Sequence, residues 1–264
     1  MDISTVIGLL IGIGALVGSM LIEGGQLQSL YNVPALIIVF GGTFGAAFIS
    51  FPKEHVLNLP KMIQHAFFNR LSVDALSTIA LMTRLAEKAR REGLLSLEEE
   101  CEGIDDGFLK RGTQLIVDGT DPDMVRAIME LDLSQMQHRH QGCYEVLEAM
   151  GGYAPTMGII GTVMGLVRVL GELSDPSSLG PAISVAFIAT FYGVSSANLL
   201  WLPLASKLRK KSESESMIRS LMLEGLLSIQ AGENPRIVQE KLMGFLAPSL
   251  RAGAHKREPE GEAA

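Results

Sequence analysis

Long apolar runs separated by charged stretches are the main pattern of this sequence. The first two runs are residues 3–22, which contain no charge, and residues 34–51, which Pro52 ends. The other two are joined by a short polar turn and read GGYAPTMGIIGTVMGLVRVLGEL and PAISVAFIATFYGVSSANLLWLP. Since about 20 helical residues cross about 30 Å of hydrocarbon, the pattern predicts four transmembrane helices.

The charged stretch after the second run has a helical pattern. Ser72 can cap a helix that Gly93 ends, and its apolar positions recur at three- and four-residue spacing at Leu76, Ile79, Ala80, Ala86 and Ala89. Asp121 and Pro122 are expected to start a second helix, which meets no breaker except Gly142 before Gly151.

Two of these helices are expected to be long. The helix that starts at Pro122 should continue into the third span with a kink near Pro155, because proline removes a backbone donor and clashes with the preceding turn. The fourth span should continue past Pro203 to Gly232. Asn234 and Pro235 then open a short helix.

We therefore predict an all-α integral membrane protein with four transmembrane helices, a helical cytoplasmic domain and two long helices that extend from the cytoplasm into the membrane. The predicted parts are transmembrane helices 1 and 2 in residues 1–51, a cytoplasmic helical domain in 52–150, transmembrane helices 3 and 4 in 151–203, a cytoplasmic helical extension in 204–248 and a disordered tail in 249–264.

Small residues dominate the third and fourth spans. They let helix backbones approach closely, which favours helix association in lipid, and they include Gly158, Gly161, Gly165, Gly193, Ser195, Ser196 and Ala197. Such a hairpin is expected to pack against partner helices.

Composition agrees with a membrane protein that has substantial soluble parts. The chain is 47% hydrophobic and only 19% charged, which is too apolar for an average soluble enzyme. All but one of its 22 Lys and Arg residues lie in residues 52–150 or beyond Pro203. Basic loops stay in the cytoplasm, so both termini and the large loop are expected there. The net charge of -7, without a basic stripe, excludes nucleic-acid binding.

Neither an enzyme site nor a metal site is indicated. The sequence has no phosphate-binding loop and no nucleophile elbow. Cys101 and Cys143 lack the paired spacing of zinc ligands. His138 and His140 are two residues apart on a predicted helix and so point to different faces. We expect no catalytic residue, no bound metal and no cofactor.

The predicted spans contain no Asp, Glu, Lys or His, although transport proteins usually place an ionisable group in the bilayer. Arg168 is the one charged residue within these spans, and it lies one turn from Glu172. Its side chain is expected to reach the membrane interface and to form an ion pair there. If ions cross, the carboxylate that carries them must belong to another chain. This chain offers hydroxyls, each expected on its own to bond back to its own helix: Thr162, Thr190, Ser195 and Ser196.

Charged residues cluster on both sides of Gly93, as Glu87, Lys88, Arg90, Arg91 and Glu92 and then Glu98, Glu99 and Glu100. By itself such a cluster is typical of a solvated helix face.

Four segments together resemble a known family. They are AEKARREGLLSLEEE, the third-span APTMGIIGTVMGLV, the fourth-span ATFYGVSSANLLWLPLASKL and AGENPR near the C-terminus. These segments stand in the order found in the family. From about residue 1 to 248, the chain resembles the A subunit of the bacterial flagellar stator (MotA/PomA type), within the wider family that includes ExbB and TolQ.

The resemblance implies a motility role. It implies a homopentamer in the inner membrane around the single transmembrane helices of two B subunits, each with an intramembrane aspartate and a peptidoglycan-binding domain. Ion passage would turn the pentamer, whose cytoplasmic parts push on the rotor switch protein. An ExbB/TolQ-like energiser of an envelope system, or a membrane scaffold without ion flux, are the alternatives.

By position, the resemblance also assigns roles to individual residues. Arg90 and Glu98 match the residues that contact the rotor, and Pro155 and Pro203 match the prolines that link ion binding to conformational change. Thr190 matches the threonine that faces the B-subunit aspartate.

The coupling ion stays open between sodium and protons. Thr162 stands at a third-span position where this chain resembles sodium-type members, which favours sodium. Ala189, in contrast, stands where sodium-type members can have a second threonine, and Asn198 stands where some proton-type members have tyrosine.

Overall fold

The chain is all-helical in a computed structural model, which describes residues 3–67, 74–171, 176–248 and 250–251, with the backbone alone for residues 176–178 and 181. No β-strand occurs in these ranges. The packing divides the chain into two units, which are considered separately. The membrane unit comprises Met1–Arg70 and Arg139–Lys210, and the head unit comprises Leu71–His138 and Lys211–Ala264.

The first four helices belong to the membrane unit. They are α1 (Ile3–Ile22), α2 (Val33–Ser50), α3 (Lys53–Leu57) and α4 (Leu59–Phe67). Asn32 caps α2 by accepting the Ala35 N–H at 3.0 Å, and α2 contains a wider, π-helical turn at Ile37–Gly41. Phe51 and Pro52 are extended, so α2 stops where Pro52 predicts.

Four short helices belong to the head unit. They are α5 (Ala75–Glu92), α6 (Leu97–Glu102), α7 (Gly107–Val117) and α11 (Pro235–Met243). Gly93 ends α5 with a φ of 87°, a left-handed conformation that glycine adopts without steric cost. Asn234 caps α11 by accepting the Arg236 N–H at 3.0 Å.

Residues of both units occur in two long helical segments. The first is α8 (Pro122–Gly171), a helix of 50 residues that contains Pro155. The second comprises α9 (Pro176–Ser196), a π-helical turn (Ala197–Trp201) and α10 (Leu202–Gln230) without interruption. Both long helices are confirmed, with the start at Pro122 and the stop before Gly232, which has a φ of 70°.

Four helices are long and apolar enough to cross a membrane, as predicted: Ile3–Ile22, Val33–Ser50 and parts of Pro122–Gly171 and of Ala182–Gln230. Three predictions fall outside the described residues: the cap at Ser72, the partner Glu172 of Arg168 and, of the disordered tail predicted for residues 249–264, residues 249 and 252–264. The described residues Leu250 and Arg251 are helical, and their backbone N–H groups donate to the Ala247 carbonyl.

Each unit has its own buried core. In the membrane unit, Leu59 and Met62 of α4 pack with Leu147 and Met150 of α8 and with Trp201. By packing, residues 53–67 and 139–150 belong to the same unit as the membrane spans. Their assignment to the cytoplasmic domain stays a prediction. In the head unit, the fully buried side chains come from six helices and include Ile79, Met82, Leu97, Leu109, Met129, Leu221, Leu226 and Val238.

Candidate ion path and charged surface

The third and fourth spans touch backbone to backbone. A Cβ on Gly158 would lie 2.8 Å from the carbonyl oxygen of Ala189, and one on Gly193 would lie 2.5 Å from that of Ala154. A Cβ on Gly165 would lie 2.7 Å from the Cβ of Ala186. Only glycine fits these contacts, which confirms that the small residues bring helices together.

Two hydroxyls meet at this contact. The Thr162 hydroxyl on α8 and the Thr190 hydroxyl on α9 form a short hydrogen bond to each other. Thr162 Oγ1 also lies 3.1 Å from the Gly158 carbonyl oxygen of its own helix and 2.9 Å from the Ala186 carbonyl oxygen of α9. Both side chains are half-buried. The structure thus brings together the two residues that the resemblance assigns to the ion path.

The hydroxyls of Ser195 and Ser196 bond back to their own helix, as the sequence analysis expects. Ser195 donates to the Phe191 carbonyl at 2.5 Å, and Ser196 donates to the Gly193 carbonyl at 3.2 Å, both within α9. Thr190 differs, because its hydroxyl bonds to Thr162 and lies 3.4 Å from the Gly158 carbonyl oxygen, both on α8. For Thr190 the expectation of a bond to its own helix is therefore wrong. The cause is the close approach of the backbones at Gly158.

No carboxylate accompanies the hydroxyls. Within the described part of the four spans, Arg168 is the sole charged side chain, and it is exposed near the end of α8. No group of acidic, His or Cys side chains suitable for a metal occurs in the described ranges. Two hydroxyls and their carbonyls can supply neutral oxygen ligands and hydrogen bonds, but no negative charge.

Large apolar side chains cover the outside of the third span. Val163, Met164 and Val167 are each more than half exposed in the isolated chain. On α9, Phe187 is 66% exposed. Surfaces of this kind require lipid or partner helices.

The two prolines lie on helices that touch near them. Pro155 lies within α8 and lacks the N–H that would bond the carbonyl four residues earlier, at Gly151. A Cβ on Gly151 would lie 2.5 Å from Leu202 Cδ2, immediately before Pro203. Each helix therefore has a weakened hydrogen-bond ladder at this contact, and the second has in addition the π-helical turn that ends at Trp201.

Tyr192 is a functional candidate that the sequence analysis did not identify. Its hydroxyl makes a short bond to the Leu30 carbonyl and lies 3.3 Å from the Asn32 N–H, so it ties α9 to the loop before α2. A lone tyrosine in an apolar run has no spacing signal that would predict this contact.

In the head unit, Arg90 and Glu98 lie on either side of the turn at Gly93. Arg90 is in the last turn of α5 and Glu98 in the first turn of α6. Both side chains are exposed, and neither forms an ion pair with any residue that the structure describes. They remain available to a partner protein.

Lys88, next to this pair, has a different environment. Its ammonium lies 3.1 Å from Glu100 Oε1 and 3.8 Å from Glu99 Oε2, and Arg84 lies 3.5 Å from the other oxygen of Glu100. The hydrogen bond to Glu100 raises the pKa of Lys88, with further contributions from Glu99 and Glu92. This part of the charged cluster is therefore more than a solvated face, because it joins α5 to α6.

The AGENPR segment contributes a second cluster that the sequence analysis did not predict. Lys241 Nζ lies 2.6 Å from Glu224 Oε1 and 3.6 Å from Glu233 Oε1, and it donates to Ser228 Oγ at 3.0 Å. The hydrogen bond to Glu224 raises the pKa of Lys241. These contacts hold α11 against α10.

Two family models match the chain. Residues 6–93 match the motility protein A N-terminal family, and residues 100–220 match the MotA/TolQ/ExbB proton channel family.

Similar proteins cover nearly the full length. Motility protein A of Borreliella burgdorferi is 40% identical over 252 residues, 96% of either chain. Chemotaxis protein PomA of Vibrio alginolyticus is 34% identical, over 96% of this chain and 98% of its own. Among solved structures, the flagellar MotAB stator complex of Bacillus subtilis matches with a TM-score of 0.89 and 35% identity, over 95% of this chain and 98% of that one.

Proposed function

This chain belongs to the MotA/TolQ/ExbB proton channel family as a flagellar stator A subunit, and from that premise we propose how its residues couple ion flow to torque. As a stator subunit it forms, with a B subunit, an ion-conducting membrane complex that acts on the flagellar rotor. Relatives named for motility favour this role over an ExbB/TolQ-like energiser.

In the proposed assembly, five copies surround the single transmembrane helices of two B subunits in the inner membrane, with both termini in the cytoplasm. Three observations support it. The spans lack a carboxylate, which a B subunit would supply. Exposed apolar side chains such as Phe187 need partner helices or membrane lipid. Basic residues flank the spans on one side only.

The proposed ion path runs beside Thr162 and Thr190. Their bonded hydroxyls are the observation that carries the proposal, because they form a polar site at the contact of the third and fourth spans. A charged or protonated aspartate of the B subunit would exchange hydrogen bonds with this site as it takes up and releases an ion. In hydrocarbon an unpaired polar group costs several kcal/mol, on the order of 4–8 in the least polar reference solvents. The aspartate is therefore favoured at the positions where its oxygens find hydrogen-bond partners.

The energy available matches a local rearrangement. One elementary charge that crosses about 100 mV releases about 2.3 kcal/mol, which suffices to bias two states separated by a few kcal/mol. We propose that the change is concentrated where Pro155 and Pro203 weaken the backbone hydrogen bonding, because those turns deform at the lowest cost.

We propose that the head unit meets the rotor switch protein through Arg90 and Glu98. Their opposite charges and their exposure suit a surface that engages and releases a partner repeatedly. Exposed charge pairs contribute little net affinity, and complementary charges speed association. Catalysis and a bound cofactor have no part in this mechanism.

The coupling ion is proposed to be sodium. Thr162 supports it, because the hydroxyl adds an oxygen ligand of the type that a hard cation prefers. A proton remains the alternative, since a proton needs only the carboxylate of the B subunit.

Co-purification with the B subunit tests the assembly. Native mass spectrometry of the complex should give five copies of this chain and two of the partner. In proteoliposomes the same complex should pass ions down a gradient, and Thr190→Ala should lower the flux without changing the mass. A different stoichiometry would refute the pentamer, and flux that is unaffected by Thr190→Ala would refute the ion path.

A further inference from the structure

A groove in the membrane unit lies between α1 and the turn that joins α9 to α10. It encloses about 330 Å³, within the range of roughly 300–1,000 Å³ that is typical of small-ligand sites. Its wall is mainly apolar and is formed by Gly8, Leu9, Phe67, Leu199, Leu200, Pro203 and Leu204. The helix α1, which forms part of this wall, has no buried residue.

One end of the groove is polar. Ser4 and Thr5 of α1 and Lys207 of α10 line it there, and the Lys207 ammonium makes a short hydrogen bond to the Thr5 hydroxyl. Lys207 is half-buried. An ammonium has three N–H donors, so one lysine can serve more than one acceptor.

The dimensions of the groove fit one leaflet of a membrane. From Asn198 to Lys207 the helix rises by about 13 Å, close to half of the roughly 30 Å hydrocarbon thickness. Because the fourth span is predicted to end near Pro203, the polar end is expected at the level of the lipid headgroups and the apolar part among the acyl chains.

The charge of the polar end selects among lipids. Lys207 follows the fourth span on α10, and Lys53 follows the second span. Basic residues in this position attract the anionic headgroups of the cytoplasmic leaflet.

We propose that this groove binds one anionic phospholipid, with its phosphate at Lys207 and Thr5 and an acyl chain along Leu9, Leu199 and Leu204. A lipid fits better than a second copy of the chain or the B subunit, because the groove combines an apolar wall with a cation at one end. The inference requires only that the chain spans a membrane, so it stands independently of the ion path proposed above.

Two variants test the site through its two ends. Lys207→Gln removes the charge, and Gly8→Leu fills the slot; a Cβ on Gly8 meets no atom within 4 Å, so the larger side chain has room. The matched controls are Lys210→Gln and Gly14→Leu. Lys210 and Gly14 do not line the groove, and a Cβ on Gly14 also meets no atom within 4 Å.

The measurement is native mass spectrometry of the complex with its B subunit, purified into nanodiscs of phosphatidylglycerol and phosphatidylethanolamine. The wild type and both controls should retain phosphatidylglycerol in preference to phosphatidylethanolamine. Lys207→Gln should weaken its apparent affinity about tenfold, as expected for the loss of one charge-assisted hydrogen bond, and Gly8→Leu should lower retention of both lipids.

Three results would overturn the proposal. The first is equal retention of the two lipids by the wild type, and the second is unchanged retention in Lys207→Gln. The third is a cross-link from a cysteine at position 8 to another protein chain, which would show a protein occupant. If Gly8→Leu fails to assemble, the charge variant alone decides.

Discussion

The Thr162 hydroxyl is hydrogen-bonded to the Thr190 hydroxyl, across 28 residues of sequence and between two different helices. Both oxygens also lie within hydrogen-bonding distance of the Gly158 carbonyl oxygen, at 3.1 Å from Thr162 and 3.4 Å from Thr190. A single carbonyl and two side chains thus form one polar site at the contact of the third and fourth spans. The predictions about ion flow follow from this site.

Thr190→Ala should reduce rotation strongly while pentamers still form. The substitution removes one hydrogen bond worth about 1 kcal/mol and leaves a space no larger than a hydroxyl, so folding should tolerate it. Motor speed in a bead assay and the amount of assembled complex check this. Thr156→Ala is the control, because Thr156 is exposed and, among the described residues, its hydroxyl donates only to the Tyr153 carbonyl of its own helix, at 2.7 Å. Loss of pentamers together with rotation would show that Thr190 acts in packing.

Gly193→Ala should destabilise the complex by forcing the third and fourth spans apart. Its Cβ would lie 2.5 Å from the Ala154 carbonyl oxygen, so the spans must separate, and overpacking of this kind costs about 1–3 kcal/mol. A lower thermal midpoint of the purified complex checks it. Gly152→Ala provides a matched control, since a Cβ there meets no atom within 4 Å. Equal midpoints for the two variants would contradict the close contact.

Arg90→Glu or Glu98→Lys should weaken swimming without lowering membrane abundance. Both side chains are exposed and form no ion pair within the described residues, so their reversal leaves the fold intact and alters only a partner contact. Motility in soft agar and immunoblots of membranes provide the measurement. Unchanged swimming in both variants would exclude this surface from the rotor contact.

The Lys88–Glu100 pair should stabilise the head unit below the usual lysine pKa and lose its effect at high pH. The pair raises the pKa of Lys88 above 10.5, so its stabilisation is fully present below pH 10.5 and declines as the pH rises through the higher, folded-state value. The thermal midpoint should therefore differ between wild type and Lys88→Gln from pH 7 to 10, and the difference should shrink above that. A difference that grows with pH would contradict this sign.

Sodium dependence should follow from the Thr162 hydroxyl. Removal of sodium during a recording is expected to stop rotation of the wild type, and Thr162→Ala is expected to raise the sodium concentration needed for half-maximal speed. If rotation persists without sodium, the coupling ion is the proton and Thr162 has a role in helix packing instead.

Local rules were sufficient for most of the fold. Gly93, Pro122 and Asn234 mark helix boundaries through backbone preferences that depend on a few neighbouring residues, and the structure has boundaries at all three. The four spans follow from length and hydropathy, which are also local.

Contacts between residues far apart in the sequence could not be predicted from such local rules. The Lys88–Glu100 bridge depends on how α5 and α6 pack, and the Tyr192 bond to the Leu30 carbonyl joins residues 162 positions apart. The assignment of Thr190 came from resemblance, whereas its direct bond to Thr162 requires the glycine contact that only the folded helices create.

Tethered-cell rotation in a flagellated host without its own stators tests the central claim most directly, with this chain and its B subunit supplied together. Cells that carry both chains should rotate, cells that carry either alone should not, and Thr190→Ala should slow the motor although the complex assembles. No rotation from an assembled wild-type complex, or wild-type speed in Thr190→Ala, would contradict an ion-driven stator whose path runs beside the two threonines.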